Sequence, residues 1–327
     1  ALAALGAALA AGEAAPPPLP TGVHLLAAAE SPYQAVRVVE DRREDPPRRY
    51  LEVNEGFGSY QSVWQPARGL LAPGYYYNDF ALPAWWAAAE GAGEGAEGSW
   101  RVLVLGLGGG TAFRVLAGAS PPGLALELTG VELDPAVVEL ARAHLELGAE
   151  GGERILAGLD ARVALRALGG GFDEIVLDCY ANQVEIPPHL GTVELFAEVR
   201  AALAPGGWLV ANLGGFGFDD PVVAAVAASA ARAFAAPVLV LRVPFARNYT
   251  LVARRDAPLP LDAAGSLRAV PPPVDRLVES RALPGSWRLV APGGPGPFLT
   301  DRHSPVEHLE RRSIAEARGR LRRAAGG

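Results

Sequence analysis

The sequence predicts an α/β protein with a doubly wound parallel sheet, preceded by a small N-terminal β-domain. Short period-two alternation fills the first part of the chain, and later apolar runs are each followed by a helical pattern. Such uninterrupted runs are typical of parallel strands that helices bury on both faces. We therefore expect an apolar, Pro-rich tail at residues 1–20, the β-domain at 21–88, the α/β domain at 98–255, and a loop-rich C-terminal segment with a final helix at 256–327.

The first two units are predicted from local patterns. The tail begins ALAALGAALAAG, which is shorter than the roughly 20 residues that cross a bilayer. It fits the trimmed end of a membrane or signal segment and a frayed Ala-rich tail equally well. After it, YQAVRVVED and RYLEVNEGFGSYQSVW alternate around a charged turn that contains prolines, which indicates an antiparallel hairpin or small sheet.

The α/β domain is predicted from apolar segments that alternate with helices. The strand candidates are WRVLVL, LALELTGVE, ERILA, FDEIVLD, GGWLVANL and PVLVLRVPF, and the helix candidates include AVVELARAHLEL. The final helix is rich in arginine. We interpret its basic residues as a solvated face, with contact to an anionic partner as the alternative.

Composition excludes several classes of function. The net charge of −7 and the pI near 5.4 argue against nucleic-acid binding and favour a small cationic or amine ligand. The absence of lysine excludes a lysine Schiff base and a Walker-type phosphate lysine. The single cysteine, Cys179, cannot form an intramolecular disulfide, which favours a reducing compartment.

Polar residues at the ends of the predicted strands carry the chemistry. The stretch VLVLGLGGGT places Gly106, Gly108 and Gly110 between a strand and a helix, where backbone N–H groups can approach a ligand. Glu132 ends the next strand and can accept both hydroxyls of a ribose. Asp160 follows the third strand, where it can accept from an adenine amino group or simply cap a helix. Together these residues favour an adenosyl ligand.

Asp178 ends the strand DEIVLD and is followed by the segment CYANQVEIPPHL. In open α/β sheets, ligands bind beyond the carboxyl ends of the strands, so Asp178 should face the same crevice as Gly106 and Glu132. A carboxylate there can bind an ammonium group, accept its proton and orient the amine.

In order along the chain, SPYQAVRVVED, RYLEVNEG, VLVLGLGGGT, GVELDP, GLDARVAL, IVLDCY and ELFAEVRAALAPGGWLVANL resemble the motifs of spermidine synthases and related polyamine aminopropyltransferases. The similarity covers about residues 30–255. It is greatest to a subgroup fused to membrane-spanning regions. The resemblance implies a Rossmann-like domain, similar to S-adenosylmethionine-dependent methyltransferases, behind a small β-domain.

The resemblance also implies a reaction. The aminopropyl group of decarboxylated S-adenosylmethionine, a co-substrate, would pass to putrescine or another amine without a metal, releasing methylthioadenosine. Asp178 would be the base. The resemblance implies nucleoside contacts from Gln34, Gly106, Gly108, Gly110, Glu132, Asp160 and Ala161, and substrate contacts from Tyr77, Asn78 and Asn212, with the register of YYYNDF open by two positions.

Two acids of the family pattern are missing from this sequence. In the family's glycine motif an aspartate follows the third glycine position, and Gly109 stands there in this sequence. The family's second acid lies three residues after the base, where this sequence has Ala181 followed by Asn182. Either Glu185, Asp79 or Asp301 replaces the lost acids, or the substrates carry less positive charge.

The resemblance leaves alternatives open. A methyltransferase using S-adenosylmethionine shares the glycine loop, Glu132 and Asp160, and a catalytically silent domain that binds an adenosyl ligand or a polyamine is a third interpretation. The resemblance further implies a homodimer. We expect a cytoplasmic protein, with membrane attachment through a region preceding Ala1 as a further expectation.

Overall fold

The computed structural model describes residues 18–53, 61–91, 99–149, 151–180 and 186–325, with side chains up to residue 319. Most of the predicted tail at residues 1–20 therefore lies outside the described residues. The same holds for Ala181, Asn182 and Glu185.

The N-terminal unit contains a four-stranded antiparallel sheet with its strands in chain order. The alternating sequence explains it, because Val36 and Val38 are buried while Arg37 between them pairs with Glu52 at 2.6 Å on the other face. The predicted small antiparallel sheet is confirmed. Its strands are β1 (Val23–Glu30), β2 (Ala35–Asp41), β3 (Arg48–Val53) and β4 (Ser62–Trp64).

A second sheet of eight strands forms the centre of the molecule, in the order β12-β10-β11-β9-β8-β5-β6-β7. Its strands are β5 (Trp100–Leu105), β6 (Leu126–Glu132), β7 (Arg154–Ala157), β8 (Phe172–Leu177), β9 (Leu203–Gly214), β10 (Val238–Arg242), β11 (Asn248–Arg254) and β12 (Trp287–Val290).

The sheet is mixed, with the predicted parallel strands at its centre and antiparallel strands added on one side. Strands β5 to β9 run parallel, whereas β11 is antiparallel to β9, and β10 is antiparallel to both β11 and β12. Only residues 243–247 separate β10 from β11, and a parallel crossover needs a dozen or more. The two faces of β10 are buried in two separate apolar clusters. Its continuous apolar run therefore resembles that of a parallel strand, although the strand is antiparallel to its neighbours.

Helices cover both faces of the large sheet, as an α/β protein requires. The α-helices are α1 (Leu82–Ala89), α2 (Thr111–Ala119), α3 (Pro135–His144), α4 (Ala161–Leu168), α5 (Val193–Ala202), α6 (Pro221–Phe234), α7 (Asp275–Ala282) and α8 (Val306–Ala325), with short 3₁₀ helices at Tyr76–Ala81 and Pro188–Leu190. In the described part of the chain, none of the helices is long and apolar enough to cross a membrane.

The chain turns in opposite directions on the two sides of β5. Strand β6 continues the sheet on one side of β5, and β8 pairs with it on the other. A reversal of this kind opens a crevice at the carboxyl ends of the strands, where ligands bind in open α/β sheets.

Glu174 in β8 is fully buried, and burial raises its pKa to about 8. Between the unfolded value near 4.5 and this value, the folded state holds a proton that the unfolded state has lost. The free energy of unfolding should therefore fall by up to about 4 kcal/mol as pH rises from 5 to 8. Glu174→Gln should flatten this dependence, measured by urea unfolding at both pH values. The exposed Glu139→Gln should leave it unchanged, and equal pH dependence in all three proteins would contradict this account.

Candidate active site

A cavity of about 1020 Å³ opens at the carboxyl ends of the central strands. Most of the predicted site residues line it, although they are far apart in the sequence. They are Gln34, Gly106, Gly108, Tyr77, Glu132, Asp160, Ala161, Asp178 and Asn212. The structure thus brings these residues to one place, whereas Gly110 and Asn78 do not line the cavity.

The glycine loop after β5 allows two strand ends to approach each other. Gly106 has φ 84°, and a Cβ on it would overlap the backbone carbonyl of Asp178. The Asp178 N–H donates to the Leu105 carbonyl at 2.8 Å. A glycine at 106 is therefore required to place Asp178 directly beside the loop.

Glu132 is held by the backbone around it. Its Oε2 accepts from the Gly108 N–H at 2.8 Å, and its Oε1 accepts from the Asp134 N–H at 3.0 Å. Burial raises the pKa of Glu132, and these backbone hydrogen bonds oppose the rise. Each carboxylate oxygen can accept a second hydrogen bond, so both remain able to bind hydroxyl groups from the cavity.

Asp160 caps a helix, as one of its two interpretations predicted, and its contact with an adenine amino group stays a prediction. One oxygen caps α4 by accepting from the N–H groups of Arg162 at 2.9 Å and Val163 at 3.0 Å. The other lies 3.0 Å from His189 Nε2, and both residues line the cavity. Burial would raise the pKa of Asp160, but hydrogen bonds from Val163 and His189 outweigh it and lower the pKa.

Gln34 comes from the turn between β1 and β2, so the N-terminal sheet contributes to the cavity. Ser31 Oγ donates to Asp134 Oδ2 at 2.7 Å, and Gln34 Nε2 donates to the same oxygen at 3.3 Å. Asp134 also caps α3 through the Ala136 N–H at 3.0 Å. One carboxylate thus holds the N-terminal turn against the Rossmann-like domain.

Asp178 lies one residue beyond β8, with its carboxylate between two fixed donors. Asn212 Nδ2 donates to Oδ1 at 2.8 Å, and the Tyr76 hydroxyl donates to Oδ2 at 3.0 Å. Burial raises the pKa of Asp178 to about 6, helped by the charge of Glu132, while the two hydrogen bonds limit the rise. The carboxylate therefore ionises close to neutral pH, as a general base requires.

The orientation of Asn212 is set by a neighbour. Asn248 Nδ2 donates to Asn212 Oδ1 at 2.9 Å, which directs the amide nitrogen of Asn212 toward Asp178. The Tyr180 hydroxyl donates to the Asn212 carbonyl at 2.8 Å. These contacts give Asp178 a fixed donor on the side away from Glu132.

The residues of the run YYYNDF have different contacts in the structure. Tyr76 contacts Asp178, and its ring stacks on that of Tyr77 with centroids 4.2 Å apart. Tyr77 lines the cavity and donates to the Gln61 carbonyl. Asn78 is buried, its Oδ1 accepts from the Leu71 N–H at 2.8 Å, and its Nδ2 donates to the Leu71 carbonyl at 3.0 Å. The Asn78 amide therefore holds the loop at Leu71. Sequence reasoning did not name Tyr76 as a site residue, although the register of YYYNDF, left open by two positions, included it.

Known proteins similar in sequence to this chain are polyamine aminopropyltransferases. No family model matches the chain. A protein of Bifidobacterium longum (strain NCC 2705), named probable polyamine aminopropyl transferase, is 34% identical over 166 residues, which make up 51% of this chain and 33% of that protein. A polyamine aminopropyltransferase of Vibrio vulnificus (strain CMCP6) is 36% identical over 115 residues, which make up 34% of this chain and 37% of that protein.

The chain is related in sequence to polyamine aminopropyltransferases. It matches about a third of the length of these two relatives. The crystal structure of a probable spermidine synthase from Corynebacterium glutamicum (ATCC 13032) superposes with a TM-score of 0.61 at 19% identity, covering 84% of this chain and 96% of that one. The predicted similarity of fold to spermidine synthases is thereby confirmed.

The two acids that polyamine aminopropyltransferase motifs led us to expect are not replaced by Asp79 or Asp301. Asp79 is fully buried and paired with Arg281 at 2.8 Å. Asp301 binds Arg162 through both of its oxygens at 2.8 Å. Neither lines the cavity, so two of the three suggested replacements are committed elsewhere.

The glycines after Gly108 have structural roles in this relative of polyamine aminopropyltransferases. Gly110 precedes α2 with φ 87° and does not line the cavity, so its role is to let the helix begin. A Cβ on Gly109 would lie 2.6 Å from Leu145 Cδ1 and 2.9 Å from Ser62 Cβ, and the Gly109 N–H donates to Ser62 Oγ at 2.7 Å. An aspartate at 109 would therefore require Leu145 and Ser62 to shift.

Sequence reasoning also missed that α8 forms a wall of the cavity. The lining residues Glu307, Glu310, Arg311, Ile314, Ala317 and Arg318 recur at intervals of three and four. This spacing corresponds to one stripe of a helix. In the described part of the chain, no group of three or more His, Cys, Asp or Glu side chains is arranged to hold a metal ion, and the prediction of transfer without a metal stays a prediction.

Gly109→Ala should lower the free energy of unfolding by about 1–3 kcal/mol, because a methyl group has no room between Leu145 and Ser62. Urea unfolding measures this change. Gly293→Ala is the control, since an added Cβ there meets nothing within 4 Å. Equal stability of the two variants would contradict the packing argument.

Proposed function

We propose that the protein transfers the aminopropyl group of decarboxylated S-adenosylmethionine to an amine acceptor and releases methylthioadenosine, with Asp178 as the base. The observation that carries this proposal is the environment of Asp178. Its pKa is raised to about 6 by burial, and Asn212 and Tyr76 fix its two oxygens beside a cavity large enough for two substrates.

The nucleoside half of the donor fits the side of the cavity nearest β6 and β7. Glu132 would accept from the ribose hydroxyls, and Asp160 with Ala161 would face the adenine. Gly106 and Gly108 let the backbone approach the ligand closely, and Gln34 would cover it from the N-terminal sheet. This placement follows from their position around one cavity.

The acceptor needs a base because an alkyl ammonium, with a pKa near 10, has no lone pair at neutral pH. Ionised Asp178 binds the ammonium and takes its proton. The freed nitrogen lone pair then forms a C–N bond to the propyl carbon next to the sulfonium, while the C–S bond breaks and its electron pair returns to sulfur. The products are a secondary ammonium and a neutral thioether, so charge and atoms balance.

The remaining rate enhancement would come from placing the two substrates in line. The stacked rings of Tyr76 and Tyr77 form an aromatic wall beside Asp178, and such faces attract ammonium and sulfonium groups. Gln34 and the docked N-terminal turn support aminopropyl transfer over methyl transfer, since the resemblance to aminopropyltransferases includes this segment. The predicted homodimer, cytoplasmic location and membrane attachment stay predictions.

One assay tests the proposal. The purified protein is incubated with an amine panel and either decarboxylated S-adenosylmethionine or S-adenosylmethionine, and the released nucleoside is identified by mass spectrometry. We expect methylthioadenosine and an aminopropylated amine. Asp178→Asn should lower kcat by at least about 100-fold because the general base is lost.

Glu132→Gln is the matched control, since it removes a negative charge from the same cavity without removing the base. It should raise KM for the donor by about 10-fold and change kcat little. Release of S-adenosylhomocysteine would instead indicate a methyltransferase, and ligand binding without turnover would indicate a silent binding domain. Near-full turnover in Asp178→Asn would remove Asp178 from the mechanism.

A further inference from the structure

The cavity has a basic rim opposite its acidic floor. Arg247, Arg311 and Arg318 line it and are exposed at its opening. None of the three forms an ion pair with a carboxylate of the described residues, whereas Arg312 on the same helix binds Glu316 at 2.7 Å. Arg247 lies over the Phe216 ring at 5.4 Å from its centroid, which leaves its charge available.

The basic rim lies on the side of Asp178 away from the nucleoside residues. Glu132 ends β6, on one side of β8, whereas Asn212 in β9 and Asn248 in β11 lie on the other side. Arg247 is adjacent to Asn248, which reaches Asp178 through Asn212. The basic rim therefore belongs to the acceptor side.

Helix α8 is anchored on that same side. Ser313 Oγ donates to Oδ2 of Asp220, the residue that caps α6, and the Phe216 N–H donates to the same oxygen at 3.0 Å. Glu310 is buried and accepts from the Ile186 N–H at 3.2 Å. These contacts fix the rotation of α8 about its axis, and in this orientation Arg311 and Arg318 face the cavity.

The charges on the acceptor side do not suit a diamine. A second ammonium group would be repelled by three guanidinium groups. The carboxylates on α8 that line the cavity are those of Glu307, which is exposed, and Glu310, which is buried. Asp79 and Asp301 are committed to other arginines. An anionic group, in contrast, would find guanidinium donors suited to bidentate contact.

We propose that the acceptor is an amine that also carries an anionic group, a carboxylate or a phosphate, which binds the rim formed by Arg247, Arg311 and Arg318. This inference rests on the proposed aminopropyl transfer and names its acceptor class. The amine end lies at Asp178 and loses its proton there, and the anionic end lies at the rim. The bonds made and broken are those of the transfer given above.

The test compares acceptors that differ in one group. Putrescine is matched with 2,5-diaminopentanoate, which adds a carboxylate, and with 4-aminobutyl phosphate, which replaces the second amine by a phosphate. We expect kcat/KM to be at least about 10-fold higher for one of the anionic amines than for putrescine. The better of the two identifies the source of the anionic group.

Substitutions at the rim give an independent readout. Arg247→Gln, Arg311→Gln and Arg318→Gln should each raise KM for the preferred anionic amine by about 10-fold, and should leave kcat and the KM for putrescine nearly unchanged. Arg312→Gln is the control, because this residue lies on the same helix outside the cavity lining. It should alter neither constant.

The outcomes separate the two proposals. A preference for putrescine, with rim variants that behave like Arg312→Gln, would overturn the anionic acceptor and leave aminopropyl transfer standing. If the rim variants weaken only the use of S-adenosylmethionine as donor, the rim binds the donor carboxylate and the acceptor inference is wrong. Absence of transfer to every acceptor would overturn both proposals.

Discussion

The site depends on the burial of one carboxylate. Asp178 lies where the carboxyl ends of β5 and β8 approach each other, and removing its ionised form from water raises its pKa to about 6. The surrounding structure limits this cost with two donors, Asn212 and Tyr76, that favour the ionised form. Gly106 is needed because any side chain there would displace the backbone of Asp178. Strand order, glycine loop and hydrogen bonds therefore serve a single acid that can exchange a proton near neutral pH.

The cavity reuses groups that also hold the fold together. Glu132 fixes the glycine loop through the Gly108 N–H, and Asp160 caps α4 while facing His189. Because these acids are held by backbone N–H groups, their positions are set before any ligand arrives, which lowers the entropy lost on binding. The proposed acceptor side is built differently, since its cations come from α8 and from the loop before β11. The acids proposed to bind the nucleoside are thus held by the sheet and its loops, whereas two of the three rim arginines come from the C-terminal helix.

This difference explains what the sequence could predict. Four predicted site residues lie at or just after the ends of strands: Gly106, Glu132, Asp160 and Asp178. The carboxyl ends of neighbouring parallel strands lie at one edge of an open α/β sheet, so the local sequence pattern was sufficient to predict that these residues come together. The wall formed by α8 depends on packing between segments distant in sequence. The antiparallel strands β10 and β11 could not be distinguished from parallel ones in the sequence, because burial on both faces removes the alternation of apolar and polar residues. In the tyrosine run, only three-dimensional packing decides that Tyr76 contacts Asp178 while Asn78 holds a loop.

The pH dependence of kcat/KM, measured with the best acceptor on the wild-type protein and on Asn212→Ala, tests the role of Asp178 most directly. The base acts in its ionised form, so the rate should rise through about pH 6 in the wild type, well below the ionisation of the amine itself. Asn212 stabilises that ionised form, and its removal should move the rise to higher pH. A wild-type profile without a rise near pH 6, or one that stays in place in Asn212→Ala, would contradict the account.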